Sequence, residues 1–298
     1  MRFFVIDVFT DRPFAGNPLA VVPDAHGLSP AVMQRIAAEF GFSETAFVFP
    51  DSTATWRVRI FTPAAELPFA GHPLVGSAFA LARFGYLPAD PAAPDLPLLV
   101  AAGEIEARIR FDGELPAGAE LRAPGALAVG EPADPRTIAD FLGLAPAELV
   151  PTGPLPCRVH HGLDFLMVRL ADEAALERAA VRGSLPEALL PHGLDNGVYL
   201  FTESADGEGT GDIRARMFAP AHGIAEDPAT GSAAAALAAL LAHLDPGRDG
   251  LYRRRIHQGR EMGRPSLIET EVRKSGGRLR EVRIGGRCAL LAEGELLL

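Results

Sequence analysis

Two short segments of the chain place acidic, polar and glycine residues in the same order. Residues 66–72 read ELPFAGH and residues 226–232 read EDPATGS, so that glutamate, proline and glycine recur at the same spacing. In each segment the glycine is followed by a residue that can hydrogen-bond, His72 in the first and Ser232 in the second. Both segments are therefore candidates for a site that binds a small molecule or transfers a proton.

Each of these glycines, Gly71 and Gly231, stands at the beginning of a long apolar run and is predicted to open a helix. The first N–H groups of a helix have no acceptor within the helix and carry partial positive charge. They are suited to hold an anionic group such as a carboxylate. If the two halves of the chain face each other, both helix starts would meet in one cleft. The alternative is two ordinary strand–turn–helix corners, and their occurrence as a pair favours the anion site.

Several acid/base candidates lie close to these two corners. A group that both takes and gives a proton needs a pKa near the working pH, and burial of a carboxylate raises its pKa in that direction. Spacing alone does not choose among the candidates, because an isolated glutamate is often a solvated loop acid or a helix-cap partner, and an aspartate before proline is a common turn pair. The candidates are Glu44, Glu66, His72, Glu226 and Asp227.

The elements that must position these residues are strands and buried helices. Residues 72–86 and 232–244 are apolar almost all round, which predicts two helices that are buried on every side. An amphipathic helix is predicted to begin at Pro30 after the N-cap Ser29 and to end at Gly41. Most of the remaining chain reads as short alternating strands.

This pattern predicts an α+β fold of two similar domains, each a curved mixed sheet wrapped around one buried helix. A second repeat supports a duplication, because the segment RIFTP at 59–63 is similar to the segment RMFAP at 216–220. We assign residues 1–128 together with 285–298 to the first half and residues 129–284 to the second.

Composition excludes several classes of protein. The chain has 298 residues and a formal net charge of −10, which makes nucleic acid an unfavourable partner. The apolar N-terminus is interrupted by Asp7 and Asp11, so it predicts neither a signal peptide nor a membrane span. The two cysteines, Cys157 and Cys288, have no metal-ligand spacing. We therefore expect a cytoplasmic protein with reduced thiols and no membrane association.

Common cofactor motifs are missing from the sequence. There is no GxGxxG after a strand, no Walker A motif and no HExxH, which argues against nicotinamide, nucleotide and zinc. The nearest approach to a metal pair is His160 and His161, but adjacent residues on a strand point to opposite faces. We expect no metal and no cofactor.

Five segments together resemble the PhzF-like proteins of phenazine biosynthesis, and the resemblance extends over essentially the whole chain. It implies the diaminopimelate-epimerase fold, an active site between two similar domains and a homodimer. The segments are residues 7–22, 43–48, 59–73, 226–232 and 258–266.

The resemblance also implies roles for individual residues. Glu44 would be the catalytic acid/base, and His72, Asp227 and Ser232 would complete the catalytic site. The backbone amides of the two helix-opening glycines would bind the carboxylate of a small-molecule substrate. The substrate-binding candidates are Asn17, Ser43, Gly71, Thr230 and Gly231.

Related diaminopimelate epimerases and proline racemases use two cysteines, one at the start of each central helix. Here Ala70 and Thr230 occupy the matching positions, so a two-thiol reaction is excluded and a single-carboxylate mechanism is favoured. The resulting hypothesis is a cofactor-independent isomerase or epimerase of a small carboxylate-bearing metabolite. A non-catalytic binding protein of the same fold, and a lyase or hydrolase that uses the same carboxylate, remain as alternatives.

Overall fold

The computed structural model divides into two compact units. The first unit comprises residues 1–122 and 285–298, and the second comprises residues 123–284. Residues 123–128, which the division drawn from the sequence assigns to the first half, cluster with the second unit. The residues that the structure describes are 1–51, 55–88, 90–151, 153–203 and 212–298.

The first unit is a mixed sheet around a buried helix. Its helices are α1 (Pro30–Phe40) and α2 (Gly71–Arg83). Its strands are β1 (Arg2–Val8), β2 (Asn17–Val22), β3 (Glu44–Pro50), β4 (Trp56–Phe61), β5 (Glu66–Leu67), β6 (Asp95–Val100), β7 (Gly103–Asp112) and β8 (Leu115–Arg122). Helix α2 contacts β1, β2, β3, β4, β7 and β8, so the sheet wraps around it.

Helix α1 forms where its capping residues predict it. The Ser29 hydroxyl accepts a hydrogen bond from the Val32 N–H, Pro30 occupies the first turn, and Gly41 ends the helix at φ 66°. The apolar face, which includes Ile36, packs against residues of β2, β3 and β4. The predicted helix is thereby confirmed at both ends.

Helix α2 is buried from Gly71 to its last turn, as its uniformly apolar sequence predicts. It ends at Arg83, three residues before the predicted end, because Gly85 adopts φ +77° and turns the chain out of the helix. Within the helix, a Cβ on Gly76 would lie 2.4 Å from the Leu19 side chain. Glycine at this position therefore allows α2 to lie directly on β2.

The second unit repeats this plan. Its helices are α3 (Pro135–Leu142), α4 (Glu173–Arg178) and α5 (Gly231–Leu244), with 3₁₀ turns at Pro146–Glu148, Glu187–His192 and Pro220–His222. Its strands are β9 (Ala128–Pro132), β10 (Cys157–His161), β11 (Leu163–Arg169), β12 (Val198–Glu203), β13 (Asp212–Ala219), β14 (Ile224–Asp227), β15 (Gly250–Gln258) and β16 (Ser266–Ser275). The long strand β17 (Arg278–Glu295) begins in this unit and continues into residues of the first.

The order and direction of the strands match between the units. In the first, the antiparallel hairpin β1–β2 is followed by β3 parallel to β2, β4 antiparallel to β3, the short β5, helix α2, and β6 parallel to β4. In the second, β10–β11, β12, β13, β14, α5 and β15 repeat the same relations. The predicted α+β fold of two similar units is confirmed, with one buried helix in each.

The two units also repeat one arginine–glutamate pair. In the first unit, Nε and Nη2 of Arg59 each donate to one carboxylate oxygen of Glu66, both at 2.7 Å. In the second, Arg216 donates to Glu226 at 2.8 and 2.9 Å. Each guanidinium also lies over the ring of the phenylalanine two residues further along, at 5.2 and 4.8 Å from the ring centre. This shared contact aligns the two halves residue by residue.

Candidate active site

In the first unit, the starts of two parallel strands and of the buried helix bring polar side chains together. Glu44 is the first residue of β3 and lies beside Leu19 of the parallel strand β2. Asn17 is the first residue of β2 and is fully buried. Ser43 immediately precedes β3, and its hydroxyl donates to Oδ1 of Asn17 at 3.2 Å.

Glu44 faces His72, the second residue of helix α2. Oε2 of Glu44 lies 3.5 Å from Nε2 of His72, and the two side chains are 14% and 6% exposed. This separation is longer than an ordinary N–H···O hydrogen bond. The same Oε2 atom is buried and makes no hydrogen bond within the described part of the chain. A carboxylate oxygen is thus held beside a histidine and left available to a bound molecule.

The surroundings of Glu44 change its acidity. Burial raises the pKa of the Glu44 carboxyl to about 7, and the neighbouring Ser43 hydroxyl acts in the opposite direction. A carboxyl with a pKa near neutrality is populated in both protonation states under ordinary conditions. Such a group can remove a proton and give it back.

The raised pKa of Glu44 predicts a pH-dependent stability. Between pH 4.5 and about 7 the unfolded chain has released the Glu44 proton whereas the folded protein retains it, so ionisation of this group lowers stability as pH rises. Glu44→Gln removes this cost. The free energy of unfolding of the variant, relative to wild type, should therefore increase by up to about 3 kcal/mol from pH 4 to pH 8. Urea denaturation at a series of pH values measures this difference.

A matched control for this prediction is Glu66→Gln. The hydrogen bond from Arg59 lowers the pKa of Glu66, so its ionised form is favoured in the folded protein. Glu66→Gln should gain no stability relative to wild type at high pH. A stability difference between Glu44→Gln and wild type that is constant from pH 4 to pH 8 would contradict the assignment of a raised pKa to Glu44.

In the second unit, the corner between β14 and α5 collects the other predicted residues. Asp227 ends β14, Thr230 is the N-cap of α5, and Gly231 and Ser232 begin the helix. The Thr230 hydroxyl donates to Oδ2 of Asp227 at 2.5 Å. The segment 227–230 is thereby closed into a turn that fixes the entrance to the helix.

Gln258, the last residue of β15, holds this corner and was not among the site residues predicted from sequence. Its Nε2 donates to the Asp227 carbonyl oxygen at 2.7 Å and to Oγ1 of Thr230 at 3.1 Å. Its Oε1 accepts from the Thr230 N–H at 3.2 Å and from the Tyr199 hydroxyl at 3.1 Å. The one signal in the sequence was its position at the start of the segment 258–266, which carries part of the family resemblance.

Gly259 brings β15 close to the same corner. It adopts φ +75°, and a Cβ at this position would lie 2.4 Å from the Arg264 carbonyl oxygen and 2.6 Å from that of Pro228. Both the backbone conformation and the close approach require glycine. The chain can therefore leave Gln258 and pass directly over the turn that follows Asp227.

The second unit has no carboxylate at the position that corresponds to Glu44. Thr45 pairs with Phe61 and Val198 pairs with Phe218, and the repeated arginine–phenylalanine contact makes these two phenylalanines equivalent. Glu44 therefore corresponds to Gly197. That glycine has φ +131°, and a Cβ on it would lie 2.4 Å from the Met217 methyl carbon. The second half has no room for a side chain here.

Two other acid/base candidates are engaged in the repeated ion pairs. Glu66 is bound by Arg59 and Glu226 by Arg216, so neither carboxylate is placed as an open proton acceptor. The cysteines are also unsuited to nucleophilic chemistry, since burial raises the pKa of the Cys157 thiol to about 11 and raises that of Cys288 as well.

The predicted site residues therefore fall into two groups, one in each unit. The first contains Asn17, Ser43, Glu44, Gly71 and His72, and the second contains Asp227, Thr230, Gly231 and Ser232. Their roles remain predictions.

Within the described ranges, no cluster of three or more His, Cys, Asp or Glu side chains is arranged to hold a metal ion, and no helix has the length and apolar character needed to cross a membrane.

Comparison with known proteins places the chain beside proteins of one kind. A family model described as phenazine biosynthesis-like protein matches residues 6–294. A protein of Mesorhizobium japonicum described as an uncharacterized isomerase is 38% identical, over 100% of this chain and 99% of its own length. The trans-2,3-dihydro-3-hydroxyanthranilate isomerase of Pseudomonas aeruginosa is 36% identical, over 100% of this chain and 99% of its own length.

A solved structure agrees over the same extent. The crystal structure of the PhzF-family phenazine biosynthesis protein of Bacillus anthracis superimposes with a TM-score of 0.86 at 26% identity. The match covers 100% of this chain and 99% of the other. The similarity in fold thus includes both units.

Proposed function

The chain belongs to the phenazine biosynthesis-like protein family, and on that premise we propose that it is a cofactor-independent isomerase of a small carboxylate-bearing metabolite. Its relatives include a protein named for the isomerisation of trans-2,3-dihydro-3-hydroxyanthranilate, a small unsaturated amino acid. The chemistry common to such substrates is a carbon-bound proton made acidic by a neighbouring unsaturated system. We infer that this chain acts on an acid of that class.

The observation that carries this function is the state of Glu44. Its carboxylate is buried, has a pKa of about 7 and keeps one oxygen without a hydrogen-bond partner in the described part of the chain. In the proposed reaction the ionised carboxylate removes a proton from one carbon of the substrate, and the electron pair moves into the unsaturated system. The resulting carboxylic acid then gives the proton to another carbon, or to the other face of the same one. The reaction needs no oxidant or reductant, because it only moves a proton and shifts an electron pair within the substrate.

His72 is proposed to orient the substrate against this carboxylate. Its ring nitrogen lies 3.5 Å from the Glu44 oxygen, so a substrate atom that contacts one group also comes close to the other. A histidine can donate or accept a hydrogen bond through this nitrogen, depending on its tautomer. Holding the acidic carbon in reach of the base is a large part of the rate enhancement in proton-transfer enzymes.

The substrate carboxylate is assigned to the helix starts at Gly71 and Gly231. N–H groups in the first turn of a helix are good donors to an anion, and proline at position 73 leaves the donors of α2 concentrated at its first two residues. Asp227 and Ser232 are proposed to contact polar groups elsewhere on the same molecule.

Proton exchange in deuterated water tests the assignment. The probes are trans-2,3-dihydro-3-hydroxyanthranilate and a set of other small unsaturated carboxylates, followed by NMR. An isomerase should introduce deuterium at carbon and leave the carbon skeleton and its substituents intact. Cleavage into two products, or loss of a substituent to water, would mean a lyase or hydrolase. Saturable binding with neither deuterium exchange nor a rearranged product would identify a binding protein.

A further inference from the structure

We infer that Gln258 is a positioning residue that sets the geometry of the Asp227–Thr230 corner for the reaction, an inference that rests on the proposed function. Gln258 is 2% exposed, and both ends of its amide are engaged. Three of its hydrogen bonds go to Asp227 or Thr230. One side chain from β15 thus fixes both ends of the turn that precedes α5.

The direction of these hydrogen bonds determines how Thr230 meets Asp227. A threonine hydroxyl has one proton, and its oxygen already accepts from Nε2 of Gln258 at 3.1 Å. Its own proton is therefore directed at Oδ2 of Asp227, 2.5 Å away. The Gln258 amide thus donates to the Thr230 hydroxyl, and that hydroxyl donates to the Asp227 carboxylate. These two hydrogen bonds hold the Asp227 side chain in one orientation.

Tyr199 holds Gln258 from the opposite side. Its side chain is fully buried in β12, and its hydroxyl donates to Oε1 of Gln258 at 3.1 Å. Burial, with the nearby charge of Asp227, raises the pKa of this phenol, so its proton is retained for donation. Because the Thr230 N–H donates to the same oxygen, the amide cannot flip without losing hydrogen bonds at both ends.

Comparison of the two halves shows that the fold itself does not require an amide at the position of Gln258. Arg57 pairs with Leu99 between β4 and β6, and Arg214 pairs with His257 between β13 and β15. Val100 of the first unit is therefore the counterpart of Gln258. The same strand–turn–helix corner is built in the first unit with an apolar residue at this position. The amide occurs in the unit whose corner contains Asp227.

Gln258→Met tests the inference, since methionine has a similar length and no hydrogen-bonding amide. We expect kcat for the most active of the probe acids to fall by about 100-fold, with KM changed by less than about threefold, as for a displaced group that acts in the transition state. We also expect hydrogen exchange of the Thr230 N–H to become at least about tenfold faster, because this N–H loses its acceptor. Ile256→Val, a mild change on the same strand, is the control and should alter neither quantity.

A double variant shows whether Gln258 acts through Thr230. Thr230→Val removes the hydroxyl that links Gln258 to Asp227, so the loss of kcat in the double variant should be close to that of the more damaging single variant. Losses that multiply would overturn the inference. Should Gln258→Met not fold, Gln258→Glu serves instead; it keeps the acceptor for the Thr230 N–H and loses the two donors, so for this variant the fall in kcat alone is the test.

The outcomes distinguish this inference from the proposed function. Unchanged kcat and unchanged exchange of the Thr230 N–H in the variant would refute the positioning role while isomerase activity stands. Faster exchange of that N–H in the variant, with a wild-type protein that isomerises none of the probe acids, would support the role of Gln258 in shaping the corner and refute the isomerase assignment.

Discussion

Glu44→Gln should lower the turnover number by about 10²- to 10⁴-fold, the range that removal of a general acid/base produces. Glutamine has nearly the shape of the carboxyl group but cannot take up and return a proton. The variant should fold and bind the substrate acid, because the helix starts that are proposed to bind the carboxylate are unchanged. Steady-state kinetics, together with a binding measurement such as calorimetry, separates the loss of turnover from any loss of affinity.

Glu66→Gln provides the control for the loss of turnover. Glu66 lies only five residues before the helix start at Gly71, but Arg59 binds it at 2.7 Å through two hydrogen bonds. The change should leave turnover within about twofold of wild type, as for surface substitutions away from the chemistry. Turnover of Glu44→Gln within tenfold of wild type would exclude Glu44 as the base, and Asp227 would be the next residue to replace.

Arg216→Met should destabilise the protein by about 3–5 kcal/mol, the range for breaking a buried ion pair. The Arg216 and Glu226 side chains are 8% and 15% exposed, so loss of the arginine leaves a carboxylate uncompensated in a poorly hydrated place. The same guanidinium also donates to the carbonyl oxygens of Leu176 and Ala179 at the end of helix α4. Denaturant unfolding of the variant measures the effect.

The duplicated half supplies a matched control for this prediction. Arg59→Met breaks the equivalent pair, but the Arg59 and Glu66 side chains are 27% and 38% exposed, so the cost should be no more than about 1 kcal/mol. In the second unit, the double change Arg216→Met and Glu226→Met should recover part of the lost stability by removing the unpaired charge. Equal losses for the two arginine variants would contradict the explanation by burial.

Local rules predicted the main helices of this fold, with the end of α2 placed three residues too late. Ser29 and Gly41 bound helix α1 because a hydroxyl cap and a left-handed glycine act on their own neighbours in sequence. The buried helices followed from runs that are apolar on every face, and the duplication followed from two repeated segments. Such features need no knowledge of distant parts of the chain.

The finer organisation of the site depends on contacts between residues that are distant in sequence. Gln258 reaches Asp227 and Tyr199 through the pairing of β15 and β12 with β13, which no spacing in the sequence discloses. The loss of a counterpart to Glu44 at Gly197 became visible only when strand register aligned the two halves. The family resemblance already selected Glu44 over Glu66, but the physical difference between them required the structure, because burial raises the pKa of Glu44 and ion pairing lowers that of Glu66.

Transfer of an isotope label within one turnover tests most directly whether Glu44 alone carries the proton. The substrate acid is labelled with deuterium at the carbon that loses its proton, mixed with excess wild-type protein in ordinary water, and the product is analysed by NMR after a single turnover. A single buried carboxylate should deliver a measurable fraction of the deuterium to the carbon that gains the proton, because the carboxylic acid is shielded from solvent between the two steps. Complete loss of the label to water, with a new hydrogen drawn only from solvent, would contradict the single-carboxylate account.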